Sequence, residues 1–437
     1  MSFSLQQIKF TGPLALAMAA LPFSMPACHI ALIVFGMVWI MYGRWKEKWN
    51  GIRTNPIVLV FIFFFLLHLV GIIYSEDQQA AWFTIEKTIS LFVLPLLLVS
   101  IKLDQGDVRA LLHLFLITCL AATIICWGAA LHKAYLASPT FNFDSYTSTS
   151  FYSFHAGTSR LWMFVSYIEL ASGIGMHPAF LSLYLIFCIV LLIHYYSDTF
   201  TTFPLVKKTI LLAILFYLVI FVLFLSSRIM IIALLAISIY GLYRFLKSAP
   251  RLIFRVSLFS FIFLFCGLVY VNPVSRYRSY QEMATTWPYL NPGLQTQSTT
   301  IRASLWWLSI QSVPRINLLL GVGPGDVEHL ISETGKSANV TNVLGTNDPH
   351  NQYLQTLLGL GIVGLCSLLV CFAWPAWVAH QTGNHLYVAF IFLFAILCLT
   401  ETAMGIQKGI VFYSLFGSLI LFQYKPVAAI SLNPATA

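Results

Sequence analysis

Long apolar runs separated by short polar stretches cover most of the chain. A helix that spans a bilayer needs about 20 mostly apolar residues, and runs of this kind recur from the beginning of the chain almost to its end. The pattern therefore predicts an all-α integral membrane protein with about 12 transmembrane helices. The predicted spans are residues 12–25, 28–43, 55–74, 84–100, 107–132, 171–196, 206–225, 229–247, 252–271, 354–378, 385–402 and 408–424.

A long polar stretch interrupts this pattern and divides the chain into three parts. Residues 1–271 contain predicted helices 1–9, and residues 272–351 form one large loop with short helices. Residues 352–437 contain predicted helices 10–12 and a tail. Because the loop is rich in polar residues, we expect it to lie outside the membrane.

Two segments of this loop have patterns of their own. Ile301, Leu305 and Leu308 recur at helical spacing beside Trp306 and Trp307, which predicts a helix with one apolar face. This helix could lie on the membrane interface or pack within a small core of the loop itself. Further along, the stretch GVGPGDVEHLIS predicts a glycine-rich turn followed by a short helix.

Lysine and arginine residues gather in alternate short connections, which predicts the orientation of the chain. The basic connections are residues 44–53, 102–109, 207–208 and 243–255, and cytoplasmic loops of membrane proteins are enriched in these two residue types. With an even number of spans, both termini are then cytoplasmic. The large loop is expected to face the periplasm or the exterior.

Composition narrows the classes of protein that are possible. Of the 437 residues, 59% are hydrophobic and 9% are charged, which excludes an ordinary soluble domain. The net charge of +9 suits either nucleic acid or anionic lipid. Because the basic residues are scattered among spans, we expect membrane lipids and no nucleic acid as partners. All eight cysteines lie inside apolar runs, so no disulfide framework is expected.

Four polar side chains lie near the ends of predicted spans. His350 precedes the tenth span in the stretch NDPHNQYLQ, where a histidine either caps a helix or exchanges a proton near neutral pH. Arg228 and Arg302 offer guanidinium groups that either snorkel to the interface or bind phosphate. His177 lies near the start of the sixth span, where helix capping is the simpler interpretation. Counting spans places all four on the periplasmic side, which predicts one shared site.

Motifs for several other kinds of site are absent from the sequence. It contains no Asp-x-Asp pair, no HExxH motif and no Walker phosphate loop. The residues therefore predict neither a metal centre nor a nucleotide cofactor.

The segments around the candidate residues resemble a known family. They are SSR ending at Arg228, IRASLWW starting at Ile301, LLLGVGPG ending at Gly325 and DPHNQYLQTLLGLGIVGL starting at Asp348. Together they resemble the bacterial O-antigen ligase family, which is related to O-antigen polymerases and to oligosaccharyltransferases that act on pilins. The resemblance covers the second half of the chain best. Many relatives have the motif His-Pro-His-Asn, whereas this chain has Asp-Pro-His-Asn from Asp348 onward. No catalytic role is therefore carried over to Asp348.

The resemblance implies an architecture and a reaction. The expected fold is a GT-C-like glycosyltransferase in the bacterial inner membrane, with its active site facing the periplasm. The expected reaction transfers O-antigen polysaccharide from undecaprenyl diphosphate to the lipid A core oligosaccharide in lipopolysaccharide biosynthesis, with no metal and no cofactor. His350 would act as the general base, and Arg228 and Arg302 would bind the diphosphate. Residues that would bind or orient substrate are His177, Asn351 and Tyr353.

Two alternative functions stay open at this point. An O-antigen polymerase would join repeat units on the same undecaprenyl diphosphate carrier, although the His-Asn and GVGPG signatures resemble those of ligases more. A secondary transporter of an anionic lipid or sugar would place its polar residues near the membrane midplane. The candidate residues are instead predicted at the outer surface, which favours catalysis.

Overall fold

The computed structural model describes residues 5–140, 161–247, 249–276, 298–338 and 347–424. Within these residues the protein is built from helices and has no strand, which confirms the predicted all-α fold. The α-helices, numbered in chain order, are α1 Leu5–Ala20, α2 Met25–Met41, α3 Trp45–Arg53, α4 Ile57–Tyr74, α5 Gln78–Val99, α6 Gln105–Ala137, α7 Leu161–Phe164, α8 Tyr167–Ala171, α9 Pro178–Tyr196, α10 Leu205–Leu225, α11 Arg228–Leu246, α12 Arg251–Val271, α13 Pro273–Arg276, α14 Ser298–Ser312, α15 Val327–Ser337, α16 Gln352–Gln381, α17 His385–Leu397 and α18 Gln407–Ser418.

Eight of the described helices are long and apolar enough to cross a membrane, namely α4, α5, α6, α9, α10, α11, α12 and α16. Helices α2 and α3 make a ninth span if they are counted together, although the chain bends by 113° between them. A helix overlaps each of the twelve predicted runs, but α1, α17 and α18, with 16, 13 and 12 residues, are shorter than the eight candidate spans. The count of twelve spans therefore stays a prediction, as does the periplasmic position of the large loop.

Two helix boundaries differ from the predicted ones for local reasons. The fourth predicted span begins at residue 84, whereas α5 begins at Gln78 because the Asp77 side chain accepts a hydrogen bond from the N–H of Ala80 (2.9 Å) and caps the helix. The sixth predicted span begins at residue 171, whereas α9 begins at Pro178. Gly175 turns the chain with a φ of 59° just before it, and proline suits the first position of a helix.

The chain divides into two compact units. The first unit comprises Met1–Leu21, Met25–Leu111 and Thr285–Ala437, and the second comprises Pro22–Ser24 and Leu112–Ala284. The first unit therefore combines helices from both ends of the sequence, including α4, α5 and α16. The second unit contains α9 to α12.

In the first unit, α4 packs against α5 and α16, and α5 also packs against α18. An aromatic cluster fills this core, in which the Tyr413 ring lies 4.7 Å from the Phe394 ring and 5.6 Å from the Phe372 ring, measured between centroids. Tyr413 is buried and its hydroxyl donates a hydrogen bond to the Cys371 carbonyl (3.0 Å). Because large buried aromatics contribute most of the apolar contact area in such a core, this cluster holds α16 and α18 together.

In the second unit, α9 is the most enclosed span and packs against both α10 and α11. Asp198, which follows α9, forms ion pairs with Arg244 (2.8 Å) and Lys247 (2.7 Å) at the C-terminal end of α11. The two helices are therefore parallel, and their N-terminal ends lie together at the opposite end of the unit. His177 and Arg228 are at those N-terminal ends.

Helices α14 and α15 pack on α16 through a small apolar core. Leu305 and Leu308 of α14 are buried against Ile331 of α15 and Leu358 of α16. This arrangement matches the second of the two interpretations of the tryptophan-containing segment, a helix packed within the loop's own core. The predicted short helix after the glycine-rich turn is confirmed as α15.

Candidate active site

The glycine-rich turn joins α14 to α15 and is inserted into a break in α16. The N–H of Ile362 donates to the carbonyl of Leu318 (2.8 Å) outside its own helix. The carbonyl of Leu358, which would otherwise accept that bond, accepts instead from the N–H of Val322 (2.9 Å). The turn and the helix thus exchange backbone hydrogen bonds, so the break leaves these groups paired.

Two glycines make this exchange possible. Gly361 adopts φ 64° and ψ −164° at the break in α16, a combination that is essentially restricted to glycine. A Cβ atom on Gly361 in α16 would lie 2.2 Å from the Leu319 carbonyl oxygen in the turn, and one on Gly321 in the turn would lie 2.5 Å from the carbonyl carbon of Gly359 in α16. The glycine signature in the sequence therefore serves close packing of backbone against backbone.

Asp326 fastens the other side of the turn. Its carboxylate accepts hydrogen bonds from the backbone N–H groups of Glu76 and Asp77, both at 2.8 Å. These two residues form the connection between α4 and α5. The turn is consequently held from two directions, and with it the positions of α14 and α15.

His350 lies on a strained piece of backbone just before α16. Its φ of 46° is in the left-handed region, which costs about 1–3 kcal/mol for a residue other than glycine. Asp348 holds this conformation, because Oδ1 accepts from the His350 N–H (2.8 Å) while Oδ2 accepts from the Thr402 hydroxyl (2.6 Å). Asp348 therefore positions the segment that carries the imidazole.

Glu401 connects His350 to Arg302. Its side chain is only 4% exposed, and its Oε1 lies 2.5 Å from a terminal nitrogen of Arg302. Its Oε2 lies 3.6 Å from Nδ1 of His350. That ring nitrogen is buried and makes no hydrogen bond to any described residue, so this contact is an electrostatic one. The structure thus brings together His350 and Arg302, which were predicted to share a site. The carboxylate that joins them, Glu401, is not among the residues predicted from the sequence.

This geometry has a defined chemical capacity. With Nδ1 directed at a carboxylate, Nε2 is the ring nitrogen that remains to take a proton. A buried carboxylate beside an imidazole stabilises the imidazolium that forms and fixes the ring's orientation, as in many catalytic triads. The guanidinium of Arg302 is 25% exposed at its side chain, and five N–H donors leave several for a further anion.

Glu401 could have been found from its place in the sequence. It lies near the end of the predicted span 385–402, where all the preceding residues are apolar or uncharged from Leu386 onward. A carboxylate in such a segment is expensive and needs a partner. That signal was available, but the pairing with Arg302 depends on the fold.

Asn351 and Tyr353 have structural roles in the described protein. The Asn351 side-chain oxygen accepts from the N–H groups of Tyr353 (3.0 Å) and Leu354 (3.1 Å) and caps α16, and its amide nitrogen donates to the Leu399 carbonyl (3.0 Å). The Tyr353 hydroxyl donates to the Ala395 carbonyl (2.9 Å), which ties α16 to α17. Direct contacts of either side chain with substrate stay predictions.

Arg228 and His177 belong to the second unit. Arg228 is the first residue of α11 and is partly buried. It follows Ser226, whose φ is 51° and whose hydroxyl lies 2.8 Å from that of Ser275. His177 is exposed, and its Nδ1 accepts from the N–H of Ala179 (3.4 Å) as the cap of α9. The two residues share one end of this unit, as the orientation of α9 and α11 requires.

Metal-ligating side chains do not form a cluster in the described residues. No group of three or more His, Cys, Asp or Glu side chains there could hold an ion.

A comparison with known protein families matches residues 211–369 to a family described as O-antigen ligase. Over these residues the chain is similar to the O-antigen ligase family. The matched residues include Arg228, Arg302 and His350, and they end before Glu401. No curated protein matches the chain. Together with eight candidate spans, the family match indicates a multi-pass membrane protein and confirms the resemblance inferred from the sequence.

Proposed function

We propose that the protein is an O-antigen ligase, which transfers O-antigen polysaccharide from undecaprenyl diphosphate to the lipid A core oligosaccharide. The observation that carries the proposal is the contact of one buried carboxylate, Glu401, with both His350 and Arg302. Base and anion-binding group are then held as a unit, which is what a glycosyl transfer from a diphosphate needs.

His350 acts as the general base in this proposal. An acceptor hydroxyl attacks the anomeric carbon, the bond from that carbon to the diphosphate oxygen breaks, and the hydroxyl proton moves to Nε2 of His350. The diphosphate leaves with the bonding electron pair. Glu401 stabilises the imidazolium as it forms, a task for which a carboxylate 3.6 Å from Nδ1 is well placed.

The arginines provide for the leaving group. Guanidinium groups form paired hydrogen bonds to phosphate oxygens and stay charged, so Arg302 stabilises negative charge as it gathers on the diphosphate. We assign Arg228 the same task, as the resemblance implies. No metal ion is needed if two guanidinium groups supply this charge. His177, Asn351 and Tyr353 are assigned supporting contacts with the sugars.

The proposal includes a topology. We place the protein in the bacterial inner membrane as a GT-C-like glycosyltransferase, with both termini cytoplasmic and the active site facing the periplasm. Residues 272–351 form the periplasmic loop between helices in 1–271 and those in 352–437. Parts of this assignment lie outside the described residues, namely 1–4, 141–160, 248, 277–297, 339–346 and 425–437.

A cellular complementation experiment tests the function. In a ligase-deficient cell, His350→Ala should leave long O-antigen on its isoprenoid carrier and the lipid A core uncapped, as seen on lipopolysaccharide gels. The matched control is His380→Ala, an exposed histidine at the far end of α16, which should cap normally. Normal capping by inserted His350→Ala protein would remove His350 as the base. A polymerase would instead be identified in a polymerase-deficient cell that keeps its own ligase, where cores carry a single repeat unit until the wild-type protein is supplied.

A further inference from the structure

The first unit contains a cavity of about 320 Å³ beside the candidate base. It opens among the ends of α4, α5 and α16, the start of α15 and the segment after α17. Asp348 and Thr402 line it, and these are the residues whose hydrogen bonds hold the backbone of His350. A molecule in this cavity would therefore contact the residues that position the candidate base.

Two acceptor atoms in the wall, one on Gln355 and one on His68, have no hydrogen-bond partner among the described residues. The Oε1 atom of Gln355 is buried and accepts no hydrogen bond there. His68 is 8% exposed, and its Nδ1 lies 2.9 Å from the Phe64 carbonyl, so that nitrogen must carry the proton and Nε2 is left as an acceptor. Because buried polar groups normally find partners, these acceptors indicate a ligand that donates hydrogen bonds.

Lys87 provides the one ammonium group of the described wall. It lies 4.1 Å above the ring of Phe83 and forms no ion pair or hydrogen bond with a described side chain. The charges of Glu328 and Asp348 act on it from across the cavity. An ammonium without a direct partner can donate hydrogen bonds to ligand oxygens.

The charge balance of the wall selects the class of ligand. Carboxylates of Asp77, Glu328 and Asp348 outnumber the ammonium of Lys87, so a phosphate would be repelled. Hydroxyl groups suit the site better, because they can donate to carboxylates and to Gln355 and accept from Lys87. The volume is near the lower end of the range for small-molecule sites, about 300–1,000 Å³, which suits one or two sugar residues.

We propose that this cavity binds a sugar residue of the acceptor oligosaccharide and presents its hydroxyl to His350. The inference rests on the proposed function, which it deepens by separating an acceptor subsite from the arginines that bind the donor diphosphate. Gln355 and Lys87 recognise the sugar, and Asp348 links the subsite to the base.

Steady-state kinetics of the purified full-length protein test this assignment. The variants are Gln355→Leu and Lys87→Met, with Lys336→Met as a control, because Lys336 is exposed on α15 and does not line the cavity. The substrates are lipid-linked O-antigen and lipid A core purified from a ligase-deficient strain. We expect the KM for the lipid A core to rise about tenfold in both cavity variants, the loss of roughly one hydrogen bond, with the donor KM unchanged.

Folding controls keep the result interpretable. Gln355→Leu removes an acceptor that has no partner in the described protein, so its thermal unfolding midpoint should be no lower than that of the wild type. An unchanged acceptor KM in a folded Gln355→Leu protein would overturn the subsite. A rise in the donor KM alone would also overturn it, since the cavity would then serve the donor.

A binding measurement separates this inference from the proposed function. His350→Ala protein in nanodiscs is titrated with the same lipid A core, with and without Gln355→Leu. Weaker binding in the double variant supports the subsite even if the wild type proves unable to transfer O-antigen. If the two variants bind the lipid A core equally well while the wild-type protein does transfer O-antigen, the subsite is discarded and the ligase assignment stands.

Discussion

The two compact units hold their candidate residues by different means. In the first unit, the side chains of His350 and Arg302 both contact that of Glu401. In the second unit, Arg228 and His177 are placed by the beginnings of two parallel helices. Charges of the first group therefore depend on one another, and a change in one should alter the others. A substitution of Arg228 or His177 should instead change only the contacts of the substituted side chain.

The largest effect is expected where the glycine-rich turn is inserted into the break in α16 of the first unit. Gly361→Ala places a Cβ atom against the Leu319 carbonyl and forces a residue with a side chain into glycine-only backbone. We expect a loss of at least about 4 kcal/mol in the free energy of unfolding and no detectable capping of the lipid A core. The matched control in the second unit is Gly128→Ala, where an added Cβ meets open space. Equal thermal unfolding midpoints for the two variants would contradict the requirement for glycine at position 361.

Glu401→Gln should nearly abolish turnover while leaving the protein folded. The amide can still accept a hydrogen bond from Arg302 but cannot stabilise an imidazolium, so kcat should fall about 10²- to 10⁴-fold with little change in the donor KM. Glu401→Asp should recover part of the rate, because it restores the charge. Glu47→Gln, an exposed change on α3, is the control. A rise in KM with kcat intact would show that Glu401 serves binding and not the base.

Lysine substitutions compare the arginines of the two units directly. Arg302→Lys gives one ammonium to serve both Glu401 and the diphosphate, so we expect about a 100-fold drop in kcat/KM. Arg228→Lys keeps a charge at the first turn of α11 and should cost about tenfold, or roughly 1.4 kcal/mol. The measurement is initial transfer rate against donor concentration. A larger loss of kcat/KM in Arg228→Lys than in Arg302→Lys would contradict the contrast between the two units.

The smallest effect concerns stability in the second unit. The hydrogen bond from Lys247 and the nearby charge of Arg244 lower the pKa of Asp198 below its ordinary value. The ion pairs therefore stabilise the protein above the unfolded-state pKa, about 3.9, and this contribution is lost as the pH falls through the lowered value. Because Asp198 is 57% exposed, Asp198→Asn should cost no more than about 1 kcal/mol at pH 7.

Thermal unfolding at two pH values checks this last expectation. The wild type and Asp198→Asn should differ slightly at pH 7 and converge as the pH falls below the lowered pKa of Asp198, where the carboxylate is protonated in the folded and the unfolded state. A difference that persists at low pH would mean that Asp198 acts through something other than its charge.

Much of the fold could be predicted from hydropathy because apolar runs fix where helices form in a membrane protein. The helix boundaries were harder to predict. Asp77 caps α5 through its side chain, and Gly175 turns the chain with a positive φ just before α9. Such local contacts are not visible in an average over a window of residues.

The candidate site was predicted in part. Charge in or beside apolar segments marked Arg302 and His350, and the structure brings both to one carboxylate. Glu401 was missed because it was counted as the end of a span, and its pairing arises from contacts between residues 99 positions apart. The functions of Asp348 and of the glycines also depend on tertiary hydrogen bonds, which a single sequence does not display.

The shared carboxylate of Glu401 has a consequence for the timing of the proposed reaction. When His350 gains a proton, its new positive charge shares with Arg302 the single negative charge of this carboxylate. The guanidinium is then held less tightly and can follow the departing diphosphate. Deprotonation of the acceptor and release of the carrier lipid would thereby be synchronised by one acidic side chain.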